Sequence, residues 1–98
     1  MADVLKAPQA QADLEAILEE LDEKSPKAAN RIAAAVDKKC EALGRFPEMG
    51  RAREEIIPGL RSTLVGKYVL FYRIRGEVVE VLRVLHGRRD LPRIMRGY

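Results

Sequence analysis

The 98-residue chain has little of what builds disulfides and metal sites, since it contains one cysteine and one histidine. One cysteine cannot form an internal disulfide, and one histidine cannot supply the several imidazoles of a zinc site. We therefore predict neither a metal nor a cofactor. Cys40 falls on an apolar helical stripe, so we interpret it as core packing rather than as a reactive thiol.

The sequence also lacks long apolar runs. No stretch approaches the roughly 20 apolar residues that cross a bilayer, and residues 1–10 hold no apolar signal-peptide core. We expect a cytoplasmic protein with no membrane contact. The length leaves room for one compact domain, residues 1–98, because two smaller units could not bury enough apolar surface.

Charge is divided unevenly along the chain. Residues 1–44 hold nine acids and six bases, a net charge of −3, and residues 45–98 hold twelve bases and six acids, a net charge of +6. Clustered bases create a locally positive potential. The second half therefore either meets a polyanion or an acidic protein segment, or carries a solvated basic surface.

Two helices are predicted in the first half. A strand over residues 3–6 precedes Pro8, where an acidic amphipathic helix of about four turns can begin. Ser25 and Pro26 indicate an N-cap and a first helical turn, and Gly44 is a plausible terminator of the second helix. The two helices form a hairpin.

The second half predicts strands. Residues 45–59 contain two prolines and two glycines and are interpreted as a loop, and three apolar strands follow at 60–65, 67–75 and 77–86. Arg75-Gly76 is the predicted two-residue turn between the last two strands, which places Tyr72 opposite Val79. Both sheet faces are then mostly apolar, and we expect the second face to be only partly covered by the chain itself.

The predicted fold class is α+β, with an N-terminal helix hairpin on a small, mainly antiparallel sheet. The element order is β-α-α-β-β-β, and a short C-terminal helix follows over residues 91–96. Asp90 stands where it could cap that helix.

Short motifs occur in a fixed order along nearly the whole chain. The first half contains Ala12-Asp13-Leu14, Ile17, Leu43, Phe46-Pro47 and Gly50-Arg51. The second half contains Gly59-Leu60-Arg61, Gly66-Lys67-Tyr68-Val69, Phe71-Tyr72-Arg73 and residues 84–90. In the order and spacing of these motifs, the chain resembles the RelE/ParE toxin superfamily, also known as plasmid-stabilisation proteins, and its ParE branch most closely.

This resemblance implies the toxin of a type II toxin–antitoxin pair, bound by a ParD-like or similar cognate antitoxin in a hetero-oligomer. We expect the antitoxin to lie along the helix hairpin and to add a strand to a sheet edge. The predicted antitoxin contacts are apolar hairpin residues: Leu14, Ile17, Leu18, Leu21, Ile32 and Val36.

The superfamily offers two mechanisms, of which we favour the first. ParE-like members poison DNA gyrase without chemistry. In that case we expect target binding in the basic segment that follows the final strand, at Arg88, Arg89, Asp90 and Arg93. RelE-like members cleave ribosome-bound mRNA. In that case His86 would act as acid or base, and Arg61, Lys67 and Arg83 would hold phosphate.

Two observations set the order of these alternatives. RelE-like toxins usually have a tyrosine or further bases in the last helix, whereas here the only tail tyrosine is Tyr98, at a chain end that tends to fray.

A third alternative is a non-toxic module that holds nucleic acid with residues 83–96. That segment contains no aromatic stacking platform, so its contacts would be salt-sensitive and unspecific.

Overall fold

A computed structural model describes all 98 residues. The helices are α1 (Pro8–Lys24), α2 (Pro26–Arg45) and α3 (Leu91–Arg96). The strands are β1 (Asp3–Lys6), β2 (Arg51–Ala52), β3 (Arg61–Val65), β4 (Tyr68–Arg75) and β5 (Val78–His86). They form one sheet in the order β1-β5-β4-β3-β2, in which only the β1–β5 pair is parallel. The predicted α+β class is confirmed, and no helix combines the length and apolar character needed to cross a bilayer.

Local capping signals define the helix hairpin as predicted. The Ser25 hydroxyl accepts a hydrogen bond from the Ala28 amide at 3.2 Å, and Pro26 occupies the first turn of α2. Since Ser25 is the only residue between the helices, α1 and α2 are held as antiparallel neighbours.

The prediction that Gly44 ends α2 is wrong. The helix continues through Arg45, and Gly44 lies buried inside it, where a Cβ atom would be 3.0 Å from the Ala2 carbonyl oxygen. The Ala2 amide donates to the Gly44 carbonyl at 2.8 Å. Glycine is needed here because the N-terminal strand approaches the helix backbone, not because the backbone must change direction.

The sheet separates two apolar clusters. The helix-side core lies under α1 and α2 and contains Ala10, Val36, Leu43, Val65, Leu70, Tyr72, Val79, Val81 and Val84. The tail-side core on the opposite face contains Ile56, Leu60, Val69, Phe71, Leu82, Leu85 and Met95. Loop residues and α3 therefore cover the second face, but Leu5 and Leu64 remain 58% and 67% exposed, in agreement with the expected partial cover.

The β4–β5 hairpin forms, but its predicted register is wrong. The turn is Gly76-Glu77, with Gly76 at φ +60°, so that Tyr72 lies opposite Val81 instead of Val79. A glycine in the first central position fits a type II′ turn, in which only that residue needs a positive φ. The predicted turn has glycine in the second position, so the observed pairing differs from the predicted pairing by two residues.

A β-bulge in β5 changes the pairing again. Tyr72 pairs with Val81, whereas the preceding Phe71 pairs with Arg83, so Leu82 is the extra residue. Because a bulge resets the alternation of a strand, Val84 joins the helix-side core and Leu85 the tail-side core. The bulge also leaves Arg83 pointing toward α1.

The predicted loop 45–59 contains a strand that we did not expect. The two residues of β2 pair with Arg61 and Ser62 at the edge of the sheet. Periodicity cannot reveal a two-residue strand. Its position depends on the preceding loop, which is anchored by hydrogen bonds from Arg61 and Tyr72.

Candidate functional site

The proposed target-binding segment begins where β5 ends, and backbone contacts fix its start. The Gly87 amide donates to the Lys67 carbonyl at 2.9 Å, and the Arg89 amide donates to the His86 carbonyl at 3.1 Å. On the far side, Met95 of α3 is fully buried in the tail-side core. The segment is therefore held at one end by backbone hydrogen bonds to the end of the sheet and at the other by the buried Met95 side chain.

Arg88, Arg89 and Arg93 project from this anchored segment. All three are exposed, and none forms a salt bridge or a side-chain hydrogen bond. Asp90 differs from them, since its carboxylate accepts the Arg93 amide at 3.4 Å as the N-cap of α3. Three of the four predicted target residues thus have guanidinium groups without intramolecular partners. The fourth, Asp90, caps α3.

Asp13 joins α1 to the bulged part of β5. Its carboxylate accepts hydrogen bonds from Arg83 Nε at 2.8 Å, Arg83 Nη2 at 3.0 Å and the Val84 amide at 3.0 Å. The Asp13 and Arg83 side chains are only 13% and 17% exposed. The hydrogen bonds to Asp13 raise the pKa of Arg83, and they engage the guanidinium that we had considered as a phosphate ligand.

Arg61 is engaged as well, at the other end of the sheet. Its Nη1 donates to the carbonyl oxygens of Glu48 at 3.1 Å and Gly50 at 2.8 Å. The Tyr72 hydroxyl donates to Pro47 O at 2.7 Å and accepts from the Gly50 amide at 2.9 Å, and burial raises its pKa. Arg61 and Tyr72 together hold the loop before β2.

The four residues of the nuclease hypothesis are therefore not brought together. His86 pairs across the sheet with Tyr68, whereas Arg61 pairs with Tyr72, four residues and about 13 Å farther along β4. Lys67 lies in the turn beside Gly87, so only His86 and Lys67 share one end of the sheet.

His86 borders a small cleft between α1 and the strand ends. The cleft has a volume of about 260 Å³, and its polar lining residues are Asp13, Glu20, Tyr68, His86 and Arg89. The His86 ring meets Tyr68 edge-on at 5.5 Å, and its Nδ1 accepts the Arg88 amide at 3.1 Å. Both contacts position the turn that carries Arg88.

The helix hairpin carries an apolar groove. Two adjoining hollows of about 320 and 290 Å³ share Leu18 and Ala33, and Leu14 and Val36 line the first of them. Of the predicted antitoxin contacts, Leu14, Leu18 and Val36 thus line the groove.

The remaining predicted antitoxin contacts lie elsewhere. Ile17 and Ile32 pack against the helix-side core, and Leu21 lines neither hollow. Ala33 was not predicted as a contact. Its signal was its small size between larger apolar neighbours, which leaves space above it.

Asp13 is a further position whose role the sequence reasoning missed. An acidic residue on an amphipathic helix is expected to face water, but the Asp13 carboxylate is nearly buried. The available signal was its place in Ala12-Asp13-Leu14, one of the motifs that carried the family resemblance.

Comparisons with known proteins agree in family and fold. Residues 4–91 match the family described as ParE toxin of type II toxin-antitoxin system, parDE. Toxin ParE1 of Mycobacterium tuberculosis is 37% identical over 91 residues, which cover 91% of this chain and 93% of that protein. Toxin ParE3 of Caulobacter vibrioides is 32% identical over 92 residues, which cover 93% and 92%. The solved chromosomal ParDE TA system from P. aeruginosa contains a chain with a TM-score of 0.75 and 21% identity, covering 88% of this chain and 96% of that one.

Proposed function

The chain belongs to the ParE toxin family of type II toxin–antitoxin systems, and from this membership we propose that it arrests growth by binding DNA gyrase and is neutralised by a cognate antitoxin. The proposed action takes place in the cytoplasm and involves no chemistry by the toxin itself. Membership in a toxin family also disfavours the non-toxic nucleic-acid module.

One observation carries the target part of the proposal. Arg88, Arg89 and Arg93 are exposed and free of ion pairs on a segment held at both ends, whereas Arg61 and Arg83 are engaged in intramolecular contacts. Arginine suits a protein target because its planar fork binds carboxylates in pairs and stacks on aromatic rings. A preorganised segment also loses little conformational entropy on binding.

The direct experiment is induction of this protein alone, with supercoiling by purified gyrase and mRNA integrity measured in parallel. We expect inhibited supercoiling and intact mRNA. Cleaved mRNA with unaffected gyrase would instead establish the RelE-like alternative.

The nuclease alternative is favoured only by the proximity of His86, Lys67 and Arg89 at one end of the sheet. Under our proposal, His86→Ala affects growth arrest only through folding, because the imidazole supports the turn that carries Arg88. A nuclease would lose roughly two to four orders of magnitude in cleavage rate when its acid or base is removed. Single-turnover mRNA cleavage and near-ultraviolet circular dichroism of the same variant separate a catalytic loss from misfolding.

For neutralisation, we propose that the antitoxin docks in the groove of the helix hairpin. Ala33 lies in both hollows, so Ala33→Arg places a long side chain where the antitoxin would pack. We expect antitoxin affinity to fall at least about 100-fold, because blocking the centre of an interface removes its best-packed contacts. Isothermal titration calorimetry measures the loss.

Ala34→Arg is the matched control for this variant. It adds the same side chain to the same helix, but Ala34 is exposed and lines neither hollow. We expect this control to bind the antitoxin like the wild type. Equal binding by both variants would place the antitoxin on another surface.

A further inference from the structure

The groove on the helix hairpin has acidic rims around its apolar floor. Glu15, Glu19 and Asp22 of α1 and Asp37 of α2 line the two hollows, and Lys6 is the only basic residue that does so. All four acids are exposed, and none takes part in a salt bridge or a side-chain hydrogen bond. The groove therefore presents four carboxylates and one lysine along an apolar floor.

The negative charge of the groove is opposite to that of the target-binding segment, which carries Arg88, Arg89 and Arg93. The hairpin half of the chain, residues 1–44, has a net charge of −3, whereas residues 45–98 have a net charge of +6. A segment that complements the groove must therefore differ in charge from one that complements Arg88 and Arg89. Like charges facing each other across an interface are unfavourable and exclude mismatched partners.

The walls of the groove favour a helical occupant. The groove lies between two α-helices whose own backbone groups are satisfied, so it offers no open strand edge to an extended peptide. A helix satisfies its own backbone and can approach closely above the small residues Ala29 and Ala33. From Gln11 to Asp22 the groove follows α1 for about 17 Å, which matches roughly three turns of a partner helix.

We propose that the groove selects an amphipathic antitoxin helix of about three turns whose apolar ridge is flanked by lysine or arginine. The inference rests on the proposed neutralisation by an antitoxin and adds the charge that the antitoxin must carry. Leu14, Leu18 and Ala33 contact the apolar ridge of this helix. The four rim acids determine which antitoxins are accepted, by pairing with the flanking bases.

The test is a toxin variant in which the rim acids become isosteric amides: Glu15→Gln, Glu19→Gln, Asp22→Asn and Asp37→Asn. The probe is the full-length antitoxin expressed from the reading frame beside the toxin gene. We expect its affinity to fall about ten- to a hundredfold at low salt, since each exposed pair contributes modestly and four act together. We also expect a smaller dependence of log Kd on log salt concentration than in the wild type.

The matched control removes four other exposed acids that line neither hollow of the groove: Asp3→Asn, Glu23→Gln, Glu48→Gln and Glu77→Gln. It changes the net charge equally, so it measures the long-range part of the effect. Loss of affinity confined to the rim variant supports charge selection. Equal affinities of wild type, rim variant and control at low salt would overturn it while leaving neutralisation by the antitoxin intact, and failure of the antitoxin to bind the wild type would instead refute the proposed function.

Discussion

Replacing Arg88 and Arg89 together by alanine is expected to abolish growth arrest while the protein stays folded. Both side chains are exposed without ion pairs, so their loss should change the free energy of unfolding by less than about 1 kcal/mol. Two arginine hot spots at about 2 kcal/mol each would together weaken target binding roughly 1000-fold. Binding to purified gyrase and plating efficiency after induction measure the effect, and thermal unfolding verifies the fold.

The control for this prediction removes two arginines elsewhere. Arg31 on α2 and Arg45 at its end are also exposed and form no salt bridge. Alanine at both positions lowers the net charge equally, and we expect the toxin to remain fully active. A folded Arg88→Ala/Arg89→Ala variant that still arrests growth would place the target surface elsewhere, with residues 51–55 next to be examined.

Substitution of the same two arginines by lysine separates charge from shape. Lysine keeps the positive potential but lacks the planar fork that binds a carboxylate with two hydrogen bonds. We expect the lysine variant to fall between wild type and the alanine variant in gyrase affinity. Full recovery by lysine would mean that potential alone drives binding.

The parts of the fold that follow from local chemistry could be predicted from the sequence. Ser25 and Pro26 define a helix start without help from distant residues, because a hydroxyl cap and a fixed φ act within one helical turn. Apolar alternation likewise predicted the three main strands. The N-terminal strand was also correct, although its parallel pairing with β5 depends on contacts that no local pattern reveals.

The errors occurred where distant segments meet. The bulge at Leu82 in β5 brings Arg83 and the Val84 amide to Asp13, 70 and 71 residues earlier in the chain. Simple alternation cannot anticipate this bulge. Gly44 was misread for a similar reason, since the backbone that needs its small size belongs to Ala2.

The candidate site was predictable to a similar extent. A cluster of bases after the last strand is visible in the sequence, and so is an apolar hairpin stripe. The sequence could not tell which arginines are free, because Arg61 and Arg83 find partners only in the folded protein. Nor could it show that Leu14 and Leu18 line the groove while Ile17 and Ile32 do not.

Gly50→Ala is expected to be the most destabilising single substitution discussed for this protein. Gly50 is buried, and a Cβ atom there would lie 2.5 Å from Tyr72 Oη, 2.7 Å from Tyr72 Cε1 and 2.8 Å from the Ser62 carbonyl oxygen. Relieving these contacts requires the loop to move, which breaks its hydrogen bonds to the Tyr72 hydroxyl and to Arg61. Overpacking and two unsatisfied buried groups together cost about 4 kcal/mol, which lowers the Tm by about 20 °C.

Two further variants identify the cause of that loss. Gly97→Ala is the control, since Gly97 has a φ of −78° and a Cβ atom there meets nothing closer than 3.5 Å, so we expect a change below about 0.5 kcal/mol. In a Tyr72→Phe background the contact with the hydroxyl disappears, while those with the ring and with Ser62 remain. The loss of unfolding free energy caused by Gly50→Ala should therefore be smaller in this background but not absent. Chemical denaturation of the wild type, Gly50→Ala, Tyr72→Phe and the double variant measures the coupling between the two positions. An unchanged penalty would mean that the close approach to the Ser62 backbone and the Tyr72 ring, rather than the hydroxyl, requires glycine at this position.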